Sequence, residues 1–191
     1  MIDPFPDEAV RQFLAKAQSG KRYLFAVCNA QRAVIMADDG VGGLLDSDRR
    51  IVDATLASCW AGAEGASHAR LTEHVDPLWS RMVPDWDAEY SPYNSAVNDA
   101  LACLVYAIES SRGDSTEESA YFAASSMFEL ADHLLHRKRT SYVHDLGAEP
   151  ITALAARCVV IDMEQLAHDA VPGELRRRVI DEGHQIAALA P

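Results

Sequence analysis

The chain has 191 residues, 49% of them hydrophobic, enough to bury a sizeable core within one domain spanning residues 1–191. Seventeen Lys and Arg stand against 29 Asp and Glu, a net charge of -12. That balance opposes sequence-independent attachment to nucleic-acid phosphates or to anionic membranes and favours a cationic partner.

The chain begins Met1-Ile2-Asp3-Pro4-Phe5-Pro6, without the charged leader and continuous apolar stretch of a secretory signal. The apolar run from Tyr23 to Met36 is broken by Asn29, Gln31 and Arg32, too polar and too short to cross a bilayer. Cytoplasmic residence is therefore the default expectation.

Helical periodicity runs from end to end. A short helix is expected over Asp7 to Gln18. Leu24, Val27, Cys28, Val34 and Ile35 then mark one face of a helix from Lys21 to Ala37, with Asp38-Asp39-Gly40 and Gly42-Gly43 breaking it. Ile51, Val52, Thr55, Leu56, Cys59 and Trp60 repeat on one side of an amphipathic helix that ends near Gly62 to Gly65. Ser91-Pro92 opens the next helix, because serine caps and proline suits the first helical position. Its stripe of Val97, Ala100, Leu101, Leu104, Val105 and Ile108 is joined by Ala96, Cys103 and Tyr106, which makes it apolar around most of its circumference. Residues 92–111 are accordingly expected at the centre of the bundle.

Ser115-Thr116-Glu117-Glu118 has capping-box spacing and opens a helix packed through Ala124, Met127, Phe128, Ala131, Leu134 and Leu135. His136-Arg137-Lys138-Arg139 closes it, with cations where they complement the helix dipole. Glu149-Pro150 starts another helix, and Pro172 the last. No strand pattern and no repeat competes, so the expected fold is all-α, a single irregular bundle of about six to eight helices.

Cys28, Cys59, Cys103 and Cys158 are widely spaced, each within an apolar stripe, and read as reduced core residues. No His-Glu-x-x-His, Gly-x-Ser-x-Gly, phosphate-cradling or dinucleotide-binding signature occurs, so common hydrolase, kinase and dehydrogenase routes lose their support, and no catalytic residue or cofactor is assigned. Glu129, Asp132, His133 and His136 fall on one helix face and form a metal platform in outline. A di-metal bundle needs the same spacing on a facing helix, which is missing, so a solvated face is expected and no metal ligand is assigned.

Two other groups of residues are candidates for binding. Asn98 and Asp99 lie in the first turns of the helix expected to be central, and buried polar groups there need partners. Arg49 or Arg50 could give Asp99 a bidentate pair, which makes Arg49, Arg50, Asn98 and Asp99 either a buried network or a ligand pocket. The second candidate is the acidic-aromatic connection, Asp85, Trp86, Asp87, Glu89, Tyr90 and Tyr93, with Trp79 and Asp76 before it. Such rings either cap the end of the core or anchor a partner.

From Tyr23 to Asp169 the chain resembles the YjaG-like family of small bacterial all-helical proteins, whose function is not established. The residues that carry the resemblance are Tyr23 to Cys28 with Arg32, Gly40 followed by Arg49-Arg50-Ile51-Val52-Asp53 and Trp60, and Val83-Pro84-Asp85-Trp86-Asp87 leading through Tyr90 and Pro92 to Asp99-Ala100-Leu101-Ala102-Cys103. Trp86 stands where the family pattern has another aromatic residue. The resemblance implies an all-helical fold and brings no catalytic motif.

The function expected from these features is non-enzymatic: a small acidic bundle that binds one protein partner, basic in character, with an immunity or antitoxin-type protein that neutralises a bacterial toxin as its concrete form. The alternatives are a small-ligand or metal-binding helical enzyme, and a family protein that acts as a homo-oligomer.

Overall fold

The structure, a computed structural model, describes residues 5–87, 91–112, 116–136, 149–168 and 170–190. The elements in chain order are α1 (Asp7–Lys16), α2 (Ser19–Val41), α3 (Asp46–Ala63), a 3-10 helix (His68–His74), α4 (Val75–Trp79), α5 (Pro92–Glu109), α6 (Thr116–His136), α7 (Pro150–Ala167) and α8 (Pro172–Ala187). The fold is an all-α helical bundle, with no strand among the described residues. The capping box at Ser115 and the basic residues Arg137 to Arg139 lie outside the described residues.

The central helix is α2, not the 92–111 helix that its apolar circumference suggested. Every residue of α2 from Tyr23 to Ala37 is buried, and the helix contacts α3, α5, α6, α7 and α8. In contrast, α5 leaves Asn98, Asp99, Ala102 and Tyr106 half-exposed. The polar residues of α2 disguise its position, because each finds an internal partner. Asn29 Nδ2 donates to Phe25 O at 2.9 Å, and Gln31 Oε1 accepts from Trp60 Nε1 at 3.0 Å. Arg32, wholly buried, is met by two carboxylates.

Two glycines let neighbouring helices approach α2 and its extension. A Cβ on Gly183 of α8 would lie 2.9 Å from Ile35 Cβ, so α8 closes on α2 only where a side chain is missing. A Cβ on Gly40 would lie 2.5 Å from Leu134 Cδ2 of α6. Gly40 therefore does not end α2 as its sequence context suggested. The helix continues to Val41 and stops at Gly42, whose φ of 79° is the left-handed C-cap conformation that glycine adopts without strain.

Helix α3 begins at Asp46, with Asp46 and Asp48 in its first turn, where carboxylates suit the positive end of the helix dipole. The short 3-10 helix and α4 were not foreseen, since a few residues interrupted by Pro77 are too short to show a helical period. Together they carry the chain back along α3, with His68 at Gly62, His74 at Thr55 and Ser58, and Arg81 at Asp48, towards α5.

Candidate interaction surface

A buried carboxylate organises the start of α3. Asp48, 4% exposed at the start of α3, receives Arg81 Nε on Oδ1 at 2.7 Å and the Tyr93 hydroxyl on Oδ2 at 2.7 Å. Arg81 Nη2 reaches the same Oδ1 and also donates to Ser47 Oγ at 2.8 Å. Tyr93 OH in turn accepts from the Leu45 backbone N–H at 3.0 Å. Burial and the neighbouring Asp48 carboxylate hold the Tyr93 phenol above its ordinary value, so it stays a donor. One carboxylate thus ties the start of α3, the residues after α4 and the first turn of α5 into a knot.

The acidic-aromatic connection hangs from this knot and from a second clamp. Asn98 of α5 holds the backbone of Val83 from both sides: Val83 N–H donates to Asn98 Oδ1 at 3.0 Å, and Asn98 Nδ2 donates to Val83 O at 2.6 Å. A turn follows, closed by Asp87 N–H donating to Pro84 O at 3.0 Å. Asp85, Trp86 and Asp87 are exposed on it, Trp86 to 85%. Glu89 and Tyr90 lie outside the described residues. Ser91 Oγ caps α5 by accepting from Asn94 N–H at 3.3 Å.

The six residues of the acidic-aromatic group therefore do not share one role. Trp86 and its flanking carboxylates face solvent, whereas Tyr93 is half-buried and engaged in the knot. Sequence alone separates neither, because both are aromatics in a polar connection.

Arg49, Arg50, Asn98 and Asp99 do not converge. Arg49 forms a bidentate pair with Asp38, at 2.8 and 2.7 Å, and Arg50 Nε donates to Asp46 O at 3.2 Å. The arginine partner foreseen for Asp99 is replaced by His133 of α6, whose Nδ1 lies 2.6 Å from Asp99 Oδ2. Asp38 claims Arg49 because the end of α2 stands beside the start of α3, and it accepts Leu44 N–H at 2.6 Å as well.

His133 shares its Nδ1 with Ser95 Oγ, 3.4 Å away. A nucleophilic serine needs the opposite ring nitrogen as its base, so Ser95, His133 and Asp99 tie α5 to α6 and are not arranged for acyl transfer. The Asp99 hydrogen bond, outweighing partial burial, raises His133 above the usual histidine value. On the same face Glu129 accepts from Ser125 Oγ at 3.2 Å, and His136 Nδ1 meets Asp132 O at 2.9 Å. Among the described residues no group of three or more His, Cys, Asp or Glu is disposed to hold a metal ion.

A buried charge network between α2, α7 and α8 was not anticipated. Arg32 on α2 donates to both oxygens of Asp162 on α7, at 2.6 and 2.8 Å, and to Glu182 Oε2 on α8 through Nε at 2.8 Å. Arg178 completes the square, with Nη1 to Glu182 Oε1 at 2.7 Å and Nη2 to Asp162 Oδ1 at 2.5 Å. Two guanidinium groups and two carboxylates balance. Burial works against the Arg32 charge, but Asp162 and Glu182 outweigh it and hold the group above its ordinary value.

All four cysteines are buried free thiols. Burial pushes Cys59 up to about 12 and Cys158 up to about 11, and Cys28 and Cys103 well above their usual value, so none is a thiolate nucleophile near neutrality.

No helix among the described residues is long and apolar enough to cross a membrane. Compared with known proteins, the chain matches no family model, no curated protein and no solved structure.

Proposed function

We propose that this chain is a non-enzymatic protein-binding protein that engages a basic partner through the acidic turn carrying Trp86. One observation carries the reading: an indole 85% exposed, flanked by exposed Asp85 and Asp87, on a turn whose first residue is pinned to Asn98 through both backbone groups. An exposed tryptophan stabilises nothing in the free protein, yet tryptophan is among the residues that contribute most when an interface closes over it. The clamp lowers the ordering cost of binding, because the backbone at Val83 is already held. The net charge of -12 adds long-range attraction for a cationic surface and raises the encounter rate.

An immunity or antitoxin-type role, in which an acidic surface covers the basic groove of a toxin, is the concrete form of this chemistry. The test pairs thermal melts with quantitative pulldowns of the wild type and Trp86→Ala from the same cells; a toxin-like reading frame, if one is found beside the gene, would supply the first partner to titrate. The reading expects an unchanged melt and loss of the captured partner. A variant that captures the same partner with unchanged affinity ends it.

A further inference from the structure

Six large hydrophobic side chains are exposed among the described residues, and three of them, Leu45 at 58%, Trp79 at 50% and Trp86 at 85%, fall on the segments that the Asp48 knot gathers. Single exposed apolar residues are ordinary; three on these segments, two of them tryptophan, are not. The hydrogen bonds fix their neighbourhood. Leu45 N–H is on Tyr93 OH, Tyr93 is on Asp48, and Arg81, two residues after Trp79, spans Asp48 and Ser47. Val83, three residues before Trp86, is on Asn98.

Leu45 has no role in the fold that would explain it. It occupies the N-cap of α3, where its side chain makes no cap, although serine, threonine, aspartate and asparagine are the residues that stabilise that position. It is not buried either. Trp79 likewise ends α4 with half its surface in water, while its neighbour Leu78 is wholly buried.

The charges of these segments are sorted by direction. Arg49 is turned to Asp38, and Arg81 to Asp48 and Ser47, whereas Asp46, Asp76 and Asp85 are exposed on the segments that carry the three apolar side chains. With Arg50 as an exposed exception, the outward side of these segments is predominantly acidic and carries the apolar anchors. A second copy of the chain would set those carboxylates opposite themselves across a two-fold axis, which is repulsive.

We infer that Leu45, Trp79 and Trp86 form one three-anchor acidic face, and that its occupant is a basic amphipathic segment of a partner protein, its apolar side chains on the three anchors and its Lys and Arg over the carboxylates. This rests on the reading of Trp86 as a recognition residue and extends it to two residues outside the turn.

The test uses the full chain and three fluorescein-labelled 15-residue peptides, followed by anisotropy: a cationic Leu/Lys/Arg amphipath, the same leucine pattern with Glu at the polar positions, and the cationic peptide with Ser for Leu. The cationic amphipath binds, the other two bind at least about tenfold more weakly, and added salt weakens binding. Leu45→Ala with Trp79→Ala, and separately Trp86→Ala, each lower the affinity of the folded protein by about tenfold or more, and the melting transition of Trp86→Ala stays in place. Leu45→Ala and Trp79→Ala are also made singly, so that misfolding of the pair leaves the comparison intact.

If only Trp86→Ala weakens binding, the three-anchor face is wrong and the recognition turn survives. If neither variant weakens it, both readings fall. Equal binding of the Glu or Ser peptide, or no binding of the cationic amphipath, overturns the occupant. Self-association that the same substitutions abolish replaces it with a second copy.

Discussion

The two polar knots of this bundle are built from the same groups and differ in where water can reach. Around Arg32, two arginines and two carboxylates from α2, α7 and α8 close on each other with Arg32 and Asp162 fully buried. Around Asp48, one buried carboxylate holds an arginine that is one-third exposed and a half-buried tyrosine, and the residues it gathers leave two tryptophans and a leucine in solvent. The hydrogen bonds of the first knot run among its own four side chains, inside the fold. The second uses its own to hold a surface still. Closed charge networks set which helices pack and in what register, whereas half-open ones can set the geometry of something meant to be touched.

The largest expected effect lies in the closed knot. Arg32→Met leaves Asp162 and Glu182 facing a single arginine in a largely buried site, and breaking a buried pair from one side costs about 3–5 kcal/mol. Urea unfolding should show that loss. Adding Asp162→Leu should recover part of it, because Arg178 and Glu182 then remain as a balanced pair. If Arg32→Met melts like the wild type, the network is not holding α2, α7 and α8 together.

Tyr93→Phe comes next and probes the half-open knot. It removes one hydroxyl that serves Asp48 Oδ2 and Leu45 N–H at once, for a loss of about 1–2 kcal/mol. Partner affinity should fall beyond the unfolded fraction, since Leu45 and the start of α3 lose their tether. A destabilised variant with unimpaired binding would make the knot a purely structural device.

His133 gives a smaller effect with a definite sign. Its pKa is raised above 6.5 by the Asp99 hydrogen bond, so the stability it adds is fully present below pH 6.5 and is lost as pH rises through the folded value. The facing groups are Asp99 and Ser95 on α5 and Glu129 and Asp132 on α6. The difference in melting temperature between wild type and His133→Gln should shrink from about pH 5.5 to about pH 9, and a difference that grows would contradict the pair.

The fold class was legible because apolar spacing at helical period survives in every long helix, and prolines at 92, 150 and 172 mark three helix starts. The identity of the central helix was not legible, because Asn29, Gln31 and Arg32 look like a wet face until their partners, as far as 150 residues away, are known. A signal was present all the same: an arginine in a helix otherwise dominated by apolar residues must be paired or exposed. The aromatic group was visible, but the difference between Tyr93 and Trp86 was not. It depends on Asp48 and Asn98 arriving from α3 and α5, which no local pattern encodes.

The smallest stability effect belongs to Trp86→Ala, and its smallness is the point. Trp60 and Trp86 are chemically the same side chain, but Trp60 is wholly buried with its Nε1 on Gln31, and Trp86 is 85% exposed. Truncating a buried ring removes packing and leaves a cavity; truncating an exposed one removes neither. The melting transition of Trp86→Ala should therefore lie within about 0.5 kcal/mol of the wild type. The turn itself should persist, because Val83 stays on Asn98 and Asp87 on Pro84 through bonds that do not involve the indole. A loss of about 2 kcal/mol or more in stability would mean the ring packs against the bundle in solution, and the recognition surface would lose its central anchor.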